Sequence, residues 1–327
     1  MTKKQLLVVA KVCLSFGLIY WLLKDADHQT IWESLSTAHP GFLIIAFLMF
    51  YVGFILICFR WRMLLRVEGV EAKISYLFKS FNIAVLFNNL LPSTIGGDAY
   101  RMYDVWKLGG SKTKAVSVIL MDRFIGMFAL IVYGLIASIL VTEVRVAIPG
   151  LVLYLAGILL AMVVLMWMVF GSGSPILGWF LSLQSKLLAI PQRIVEKFGS
   201  ALQEYRGRGD VLLKALLLSF AVQLNVIVHF VVIGMALNLD VPSIAMFIII
   251  PVATLIMLLP VSINGLGVRE AVLVFLFAVY GVSTESAIAF AWIWLAMLLA
   301  QGVVGGIVFM FKRNKPDPGK IQDLMES

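Results

Sequence analysis

Apolar runs of eighteen or more residues recur along this chain of 327 residues, and they restrict its fold more than any other feature. A helical run of that length crosses the hydrocarbon core of a bilayer. Because 61% of the residues are hydrophobic and only 13% are charged, the chain is typical of a polytopic membrane protein rather than a soluble one. We therefore predict an all-α membrane fold. The long apolar segments lie near 5–23, 41–59, 74–92, 115–141, 147–170, 211–237, 243–262, 265–281 and 284–311.

Charge and cysteine content argue against several other classes. A net charge of +8 would suggest a nucleic-acid partner in a soluble protein, but in a membrane protein basic residues mainly set orientation, so we expect no nucleic acid. Cys13 and Cys58 lie in or beside apolar segments, which argues against a disulfide framework, and His229 is a lone histidine. We expect neither a metal nor a cofactor.

The distribution of basic residues predicts how the chain is threaded, because Lys and Arg are enriched in cytoplasmic loops. With a cytoplasmic N-terminus, the acidic loop 24–40 lies outside and the basic loop 60–73 lies inside. The basic linker 171–210 and the basic tail 312–327 are then cytoplasmic as well. Both termini are expected inside.

The segment 74–92 does not fit simple alternation, because basic residues flank it on both sides. The basic loop 60–73 precedes it, and Arg101 follows with three lysines behind it. This pattern predicts a re-entrant hairpin of about 74–108 that enters from the cytoplasm and returns there. A similar hairpin of about 243–281 is expected to enter from outside. Exposed backbone at the break of such a hairpin is tolerated only where protein or water covers it.

A twelve-residue element occurs twice, once in each expected hairpin. Residues 90–101 have the sequence LLPSTIGGDAYR, and residues 258–269 have the sequence LLPVSINGLGVR. Each copy breaks an apolar helix, at Pro92 and the Gly96-Gly97 pair or at Pro260, and then places an arginine at membrane depth, which is costly unless the arginine has a function. Because the copies are expected to enter from opposite faces, we predict an inverted repeat, an architecture of transporters. Its units are 1–141 and 142–311, each with full spans plus a broken, re-entrant helical hairpin.

The two arginines, Arg101 and Arg269, suit a phosphate ligand. A guanidinium stays ionised and offers five donors in a planar fork, and backbone N–H groups at a broken helix add more. A phosphate or a carboxylate would offset the cost of about 2.5–3.5 kcal/mol for an arginine at the bilayer centre. We assign substrate binding to Gly96, Gly97, Asp98 and Arg101 in the first copy, and to Asn264, Gly265, Gly267, Arg269 and Glu270 in the second. A gating or structural role is assigned to Arg60, Arg62, Asn88, Asn89, Pro92, Asp122, Arg123 and Pro260.

Two of these assignments have a simpler alternative. Arg101 is also compatible with an interfacial cation whose side chain extends to the headgroup region. The adjacent Asp122 and Arg123 are compatible with a structural ion pair as well as with a gate, because intramembrane ion pairs serve both purposes.

These residues also resemble a known family. The resemblance spans about 40–311 and is to the lysylphosphatidylglycerol synthetase/flippase transmembrane family, the membrane half of the bacterial multiple peptide resistance factor and its stand-alone relatives. It implies translocation of aminoacyl-phosphatidylglycerol, another phospholipid or a polyprenyl-linked lipid across a bacterial cytoplasmic membrane. Only sixteen residues follow Phe311, so the soluble synthase domain and lysyl transfer are expected to be absent. The motifs that carry it are Phe59-Arg60-Trp61-Arg62, L-P-x-x-x-G-G-D-x-x-R from Leu91 to Arg101, Asp122-Arg123, and P-x-S-I-N-G-L-G-V-R-E from Pro260 to Glu270.

The function expected from the residues and the resemblance is a lipid flippase whose partner is a phosphate-bearing membrane lipid. The chain contains no G-x-x-x-x-G-K-[ST] motif, which argues against direct use of ATP. A membrane glycosyl or phosphoryl transferase that uses the outer-loop acids Asp25 and Asp27 is an alternative, and so is an accessory subunit packed through small residues. The sequence leaves a homo-oligomer open.

Overall fold

The computed structural model describes residues 3–90, 96–170, 203–259, 262 and 264–312 of the chain. All regular structure in this part of the chain is helical, and it contains no strand. The α-helices are α1 Lys3–Leu23, α2 His28–Ser36, α3 Pro40–Val67, α4 Ile74–Leu90, α5 Gly96–Lys107, α6 Lys112–Leu140, α7 Thr142–Ala147, α8 Leu151–Phe170, α9 Gly209–Ala236, α10 Met246–Met257, α11 Val268–Ala278 and α12 Thr284–Met310. Short 3-10 helices form at Gln203–Tyr205 and Ser243–Ala245.

Four helices, α3, α6, α9 and α12, are long and apolar enough to cross a membrane. At about 1.5 Å per residue each is roughly 40 Å long, which exceeds the hydrocarbon thickness of about 30 Å. Shorter apolar helical stretches occur at Val12–Leu23, Leu151–Trp167 and Ser243–Met257. The predictions of an all-α fold in the described part of the chain and of a multi-pass membrane protein are confirmed.

Helices α3 and α9 hold matching positions in the two units expected from the sequence, and they pack along each other. Asn225 Nδ2 of α9 donates to the Met49 carbonyl oxygen of α3 at 3.0 Å, and His229 Nδ1 lies 2.8 Å from the Ala46 carbonyl oxygen. Each hydrogen bond of this kind stabilises the packing of two membrane helices by about 0.6 kcal/mol. They fix the register of the central helix pair.

The first helix of each expected hairpin packs on a long helix of the other half of the chain, the helix that follows the other hairpin. α4 lies against α12, and α10 lies against α6. Small residues allow both approaches, since a Cβ on Gly305 would overlap the Asn82 carbonyl oxygen and a Cβ on Gly134 would lie 3.1 Å from Pro251 Cβ. The two halves of the chain therefore interlock through small residues.

The first break is shorter than the sequence indicates. α4 ends at Leu90 and α5 already begins at Gly96, so Gly96 and Gly97 form the first turn of a helix and the prediction that this pair belongs to the break is wrong. The cause is a cap, since Asn88 Oδ1 accepts the N–H of Gly97 at 2.7 Å and satisfies an N-terminal donor of α5. Pro92 lies outside the described residues.

The second break separates α10 from α11. Asn264, Gly265 and Gly267 have φ angles of 50°, 76° and 78°, in the left-handed region that a helix cannot contain. Helical structure therefore resumes only at Val268. Pro260, which was expected to begin this break, lies outside the described residues.

Candidate functional site

Two adjacent residues of α6 bind two residues of α5 that are one helical turn apart. Arg101 Nη2 of α5 lies 2.9 Å from Asp122 Oδ2, and Arg123 Nε of α6 donates to Asp98 Oδ2. Asp98 and Arg101 share a face of α5, with Oδ1 and Nη1 3.5 Å apart. The two ion pairs thus join the helix that follows the first break to the long helix behind it.

A third arginine from α3 completes the cluster. Arg60 Nε donates to Asp122 Oδ1 at 2.8 Å, and its Nη1 donates to Ser219 Oγ of α9 at 2.7 Å. The carboxylate of Asp122 is therefore shared by two guanidinium groups, one on each oxygen. We call Arg60, Asp98, Arg101, Asp122 and Arg123 the arginine–aspartate network.

Burial in this network rules out one alternative for Arg101 in this structure. The residue is 5% exposed, and its guanidinium carbon lies 4.4 Å from the centre of the Trp61 ring, within cation–π range. An interfacial cation would instead keep its head in water. Arg101 is an internal cation that Asp122 and Trp61 hold in place.

The network borders a cavity of about 380 Å³. The cavity is lined by helices of both halves of the chain, including Gln223 of α9 and Thr254 of α10. Arg60, Asp122 and Arg123 of the network line this cavity, and the side chain of Arg123 is 42% exposed whereas that of Arg60 is 6% exposed.

The second repeated arginine lies in a separate cluster at the start of α11. Arg269 is fully buried, its Nη2 lies 2.9 Å from Glu270 Oε1, and its guanidinium carbon lies 5.7 Å from the Trp294 ring centre. Glu270 Oε2 in turn accepts the N–H of Gly267 at 2.6 Å. Each repeated arginine thus has a carboxylate oxygen 2.9 Å from its Nη2 and lies beside a tryptophan.

Close packing against α1 explains why Gly267 precedes α11. A Cβ at this position would lie 2.6 Å from the Ser15 carbonyl oxygen and 2.9 Å from Leu18 Cβ. A side chain is therefore excluded by space as well as by the positive φ angle. The first helix of the chain is docked on the second repeated element.

Of the other assigned residues, Asn89 and Gly97 have packing roles, whereas Arg62 has no ion-pair partner in the described part of the chain. Asn89 Nδ2 donates to the Leu298 carbonyl oxygen at 2.7 Å and so binds α4 to α12, which is a structural role. Gly97 lets α5 approach α4, since a Cβ there would lie 2.5 Å from the Ala84 carbonyl oxygen. Arg62 is half-buried and belongs to no ion pair among the described residues.

Sequence reasoning missed a third ionic cluster, at the end of α12. Lys312 Nζ lies 2.9 Å from Asp104 Oδ1 and 2.5 Å from the Tyr100 hydroxyl, and it lies 5.2 Å from the Tyr76 ring centre. Asp104 is fully buried. The available signal was the acidic residue one turn beyond Arg101 in the same helix, but nothing in the sequence names its partner.

The acids of the enzyme alternative have structural partners. Asp27 is the N-cap of α2, where it accepts from Gln29 N at 2.9 Å and from Thr30 Oγ1 at 2.7 Å. These hydrogen bonds, chiefly the one from Thr30, hold the pKa of Asp27 below its ordinary value. Asp25 lies 3.4 Å from Lys24 Nζ. No group of three or more His, Cys, Asp or Glu side chains is gathered as a metal site among the residues that the structure describes.

Four long apolar helices, two of them joined by the buried ion pair of Arg60 and Asp122, define a polytopic membrane protein. Comparison with known sequences then gives the family. The sequence pattern of the family described as "Lysylphosphatidylglycerol synthase TM region" matches residues 8–305, and the chain belongs to this family.

Curated relatives come from archaea. Two UPF0104 membrane proteins of Methanothermobacter thermautotrophicus are each 23% identical, one over 283 residues (79% of this chain and 81% of the relative) and one over 288 residues (81% of each). A UPF0104 membrane protein of Methanocaldococcus jannaschii is 26% identical over 124 residues, which are 37% of this chain and 36% of the relative. The similarity to the first two covers most of both chains.

Proposed function

We propose that the protein moves a phosphate-bearing lipid from one leaflet of the membrane to the other. The observation that supports this best is the charge of the arginine–aspartate network: three arginines and two aspartates give one net positive charge beside the 380 Å³ cavity. A charge in apolar surroundings is costly unless it is paired. A phosphodiester headgroup carries one negative charge and so would balance the network.

Arg101 and Arg269 take part by exchanging ligands. Each guanidinium binds a carboxylate, Asp122 or Glu270, at 2.9 Å. Two non-bridging oxygens of a phosphate can accept from an arginine fork as a carboxylate does, so a phosphate competes with that carboxylate for the same donors. In the proposed mechanism the carboxylates hold the two arginines when no lipid is present, and the headgroup replaces them in turn.

The proposed mechanism also uses the inverted repeat of units 1–141 and 142–311 that the sequence predicts. The reciprocal packing of α4 on α12 and of α10 on α6, together with the central α3–α9 pair, supports it, because a pseudo-twofold axis generates this pattern of contacts. Movement of one half against the other would expose the two breaks to opposite faces. The distribution of basic loops supports cytoplasmic termini and a cytoplasmic membrane as part of this proposal. The bacterial origin stays a prediction, since the relatives reported above are archaeal.

A transport assay tests this function. The purified protein is placed in liposomes that contain a trace of fluorescent phosphatidylglycerol, and dithionite quenching from outside measures the fraction that changes leaflet. We expect faster exchange than in protein-free liposomes, and no acceleration for a fluorescent ceramide, which lacks the phosphate. Equal acceleration of both lipids, or of neither, would contradict the proposal.

Two variants test the role of the arginines. Arg101→Lys/Arg269→Lys keeps both charges but removes the planar forks, so we expect transport of phosphatidylglycerol to slow by about tenfold or more. Arg145→Gln, at an exposed position of α7, is the control and should transport like the parent. Parent-like transport by the double variant would refute the ligand-exchange mechanism, provided that its thermal unfolding matches that of the parent.

A further inference from the structure

A cavity separate from the arginine–aspartate network lies between the start of α4 and the end of α12. Its volume is about 470 Å³, and it shares no described lining residue with the 380 Å³ cavity. The lining consists of Tyr76, Lys79 and Ile83 of α4, Ile307 and Val308 of α12, and Phe311 and Lys312 directly after α12. One helix from each half of the chain therefore builds this space.

The lining divides into a polar part and an apolar part. Two lysines and a tyrosine supply the polar groups, and no acidic side chain lines the cavity among the described residues. The other four lining residues are apolar, and two of them, Ile307 and Phe311, are exposed at the helix end. Cations beside exposed hydrocarbon suit an anionic lipid, because its charged phosphate is joined to apolar chains. Basic pockets between membrane helices bind headgroups of this kind.

Lys79 is the cation that is available to a ligand. Its side chain is exposed and forms no ion pair with the rest of the described chain. Lys312 is already bound, since its Nζ lies 2.9 Å from Asp104 Oδ1. Tyr76 is engaged as well, because its hydroxyl donates to the same oxygen at 3.0 Å. Asp104 thus balances Lys312, and Lys79 leaves one positive charge that one phosphodiester group would balance.

The position of the cavity along the helices fits the level of the lipid headgroups. α12 is an apolar helix of 27 residues that ends at Met310, so Lys312 lies directly beyond its membrane-spanning length. The basic loop 60–73 leads into α4 and is expected on the cytoplasmic side. Anionic lipids are enriched in that leaflet.

We propose that this cavity binds an anionic phospholipid of the cytoplasmic leaflet, whose phosphate pairs with Lys79 and whose acyl chains lie on Ile307 and Phe311. This lipid stays bound and is not the transported one, so the inference does not depend on the proposed function. It contacts both α4 and α12 and therefore stabilises the packing between the two halves of the chain.

Charge favours a lipid over the tail of the chain as the occupant. The tail 313–327 follows Lys312 directly and contains three basic and three acidic side chains. Because these charges cancel, the tail as a whole gains less from the charge of Lys79 than an anionic lipid does.

Native mass spectrometry of the full-length protein in detergent tests the site. The protein is titrated with phosphatidylglycerol and, separately, with phosphatidylcholine of the same acyl chains, and the dissociation constant of the first bound lipid is measured. We expect phosphatidylglycerol to bind about fivefold more tightly and to raise the thermal unfolding temperature more. Equal affinities would overturn the proposal, since the charge of the headgroup would then have no effect.

Lys79→Gln and Lys73→Gln are the matched variants for the headgroup. Both lysines are exposed near the start of α4, but only Lys79 lines the cavity. Lys79→Gln should weaken the binding of phosphatidylglycerol about fivefold, and Lys73→Gln should leave it unchanged. Equal weakening in both variants would indicate a diffuse basic surface and would overturn the site.

Ile307→Trp and Val303→Trp are the matched variants for the acyl chains. Both residues are exposed and lie one helical turn apart on α12, but only Ile307 lines the cavity. Ile307→Trp should fill the space and weaken the binding of phosphatidylglycerol several-fold, whereas Val303→Trp should not. Binding that ignores Ile307→Trp would place the lipid elsewhere and overturn the proposal.

The remaining outcomes concern the occupant and its role. An excess of soluble glycerol phosphate should not displace the lipid, and displacement would identify free phosphate as the ligand. Binding that does not depend on Lys79, as expected if the tail 313–327 fills the cavity, overturns the site. A Lys79→Gln variant that loses the bound lipid but still moves phosphatidylglycerol in liposomes supports a site outside the transport path. Loss of both properties would place Lys79 on that path and refute the stationary role of the lipid.

Discussion

Asp122 Oδ1 and Oδ2 bind different arginines, Arg60 Nε at 2.8 Å and Arg101 Nη2 at 2.9 Å. Both partners and the aspartate itself are almost completely buried. Loss of this carboxylate leaves two buried guanidinium groups without their main counter-charge, which costs about 3–5 kcal/mol in comparable cases. We therefore expect Asp122→Asn to lower the thermal unfolding temperature in detergent more than any other single change in the network.

Asp98→Asn is the matched comparison for Asp122→Asn. Its closest partner Arg123 is 42% exposed, and its second partner Arg101 keeps Asp122, so the expected cost is smaller, about 1 kcal/mol. Equal shifts in the unfolding temperature of the two variants would show that burial of the network does not determine its stability.

Two adjacent glycines of α12 should respond differently to the same substitution. A Cβ at Gly305 would overlap the Asn82 carbonyl oxygen of α4, whereas a Cβ at Gly306 would lie 3.7 Å from Leu86 Cδ1, which is an ordinary contact. Overpacking typically costs about 1–3 kcal/mol, so Gly305→Ala should lower the unfolding temperature. Gly306→Ala should leave it unchanged or raise it slightly, because alanine favours helix. If both variants have the same unfolding temperature, α4 and α12 do not approach each other at Gly305 as closely as the structure shows.

Lys312 should hold the end of α12 on α5. Replacement by methionine keeps most of the side-chain volume but leaves the fully buried Asp104 without its cation, at a cost of about 1–3 kcal/mol. Thermal unfolding and proteolysis after α12 both report the loss. Lys112→Met, at an exposed position, is the control and should be neutral. A stable Lys312→Met variant with unchanged proteolysis would refute this contact.

The sequence predicted the elements of this fold better than their pairing. Long apolar runs locate α6, α9 and α12 within three residues, since hydropathy depends on local composition, but α3 continues eight residues beyond the predicted end at 59. The partner of Asp122 lies 21 residues away in one case and 62 in the other, and that of Asp104 lies 208 residues away. Such pairs depend on how helices pack, which periodicity does not encode. The break before α5 was misplaced for the same reason, because the cap on Gly97 comes from Asn88 on another helix.

The stability of the protein should fall as pH rises through the pKa of Glu68. This residue lies just after α3 and is 3% exposed, with Ser117 Oγ donating to Oε1 at 2.6 Å. Burial raises the pKa of Glu68 above its ordinary value of 4.5, and the nearby charge of Glu204 raises it further. Because the folded state binds this proton more tightly than the unfolded state does, its contribution is complete below pH 4.5 and is lost as pH rises through the raised pKa.

Glu68→Gln isolates this effect, since glutamine resembles the protonated acid and does not titrate. The difference in unfolding temperature between variant and parent should grow from pH 4.5 towards neutral pH. Asp210→Asn, exposed at the start of α9, should show no such trend. A constant difference across the pH range would mean that the pKa of Glu68 is the same in the folded and unfolded states.

The N-terminal ends of α6 and α12, the helices that follow the two hairpins, should lie on opposite sides of the membrane. Ser111 and Ser283 begin α6 and α12 in the same way, each hydroxyl accepting the N–H of the residue three positions later at 3.2 Å. In an inverted repeat these matching caps lie on opposite faces, with Ser111 in the cytoplasm.

Single cysteines beside these caps, Lys112→Cys and Thr284→Cys, test this in a Cys13→Ser background, where Cys58 is buried. An impermeant maleimide added outside intact cells should label Thr284→Cys at once and Lys112→Cys only after permeabilisation. Labelling of both from one face would refute the inverted arrangement. It would leave the arginine–aspartate network intact, because the contacts of that network do not depend on the direction in which the chain is inserted.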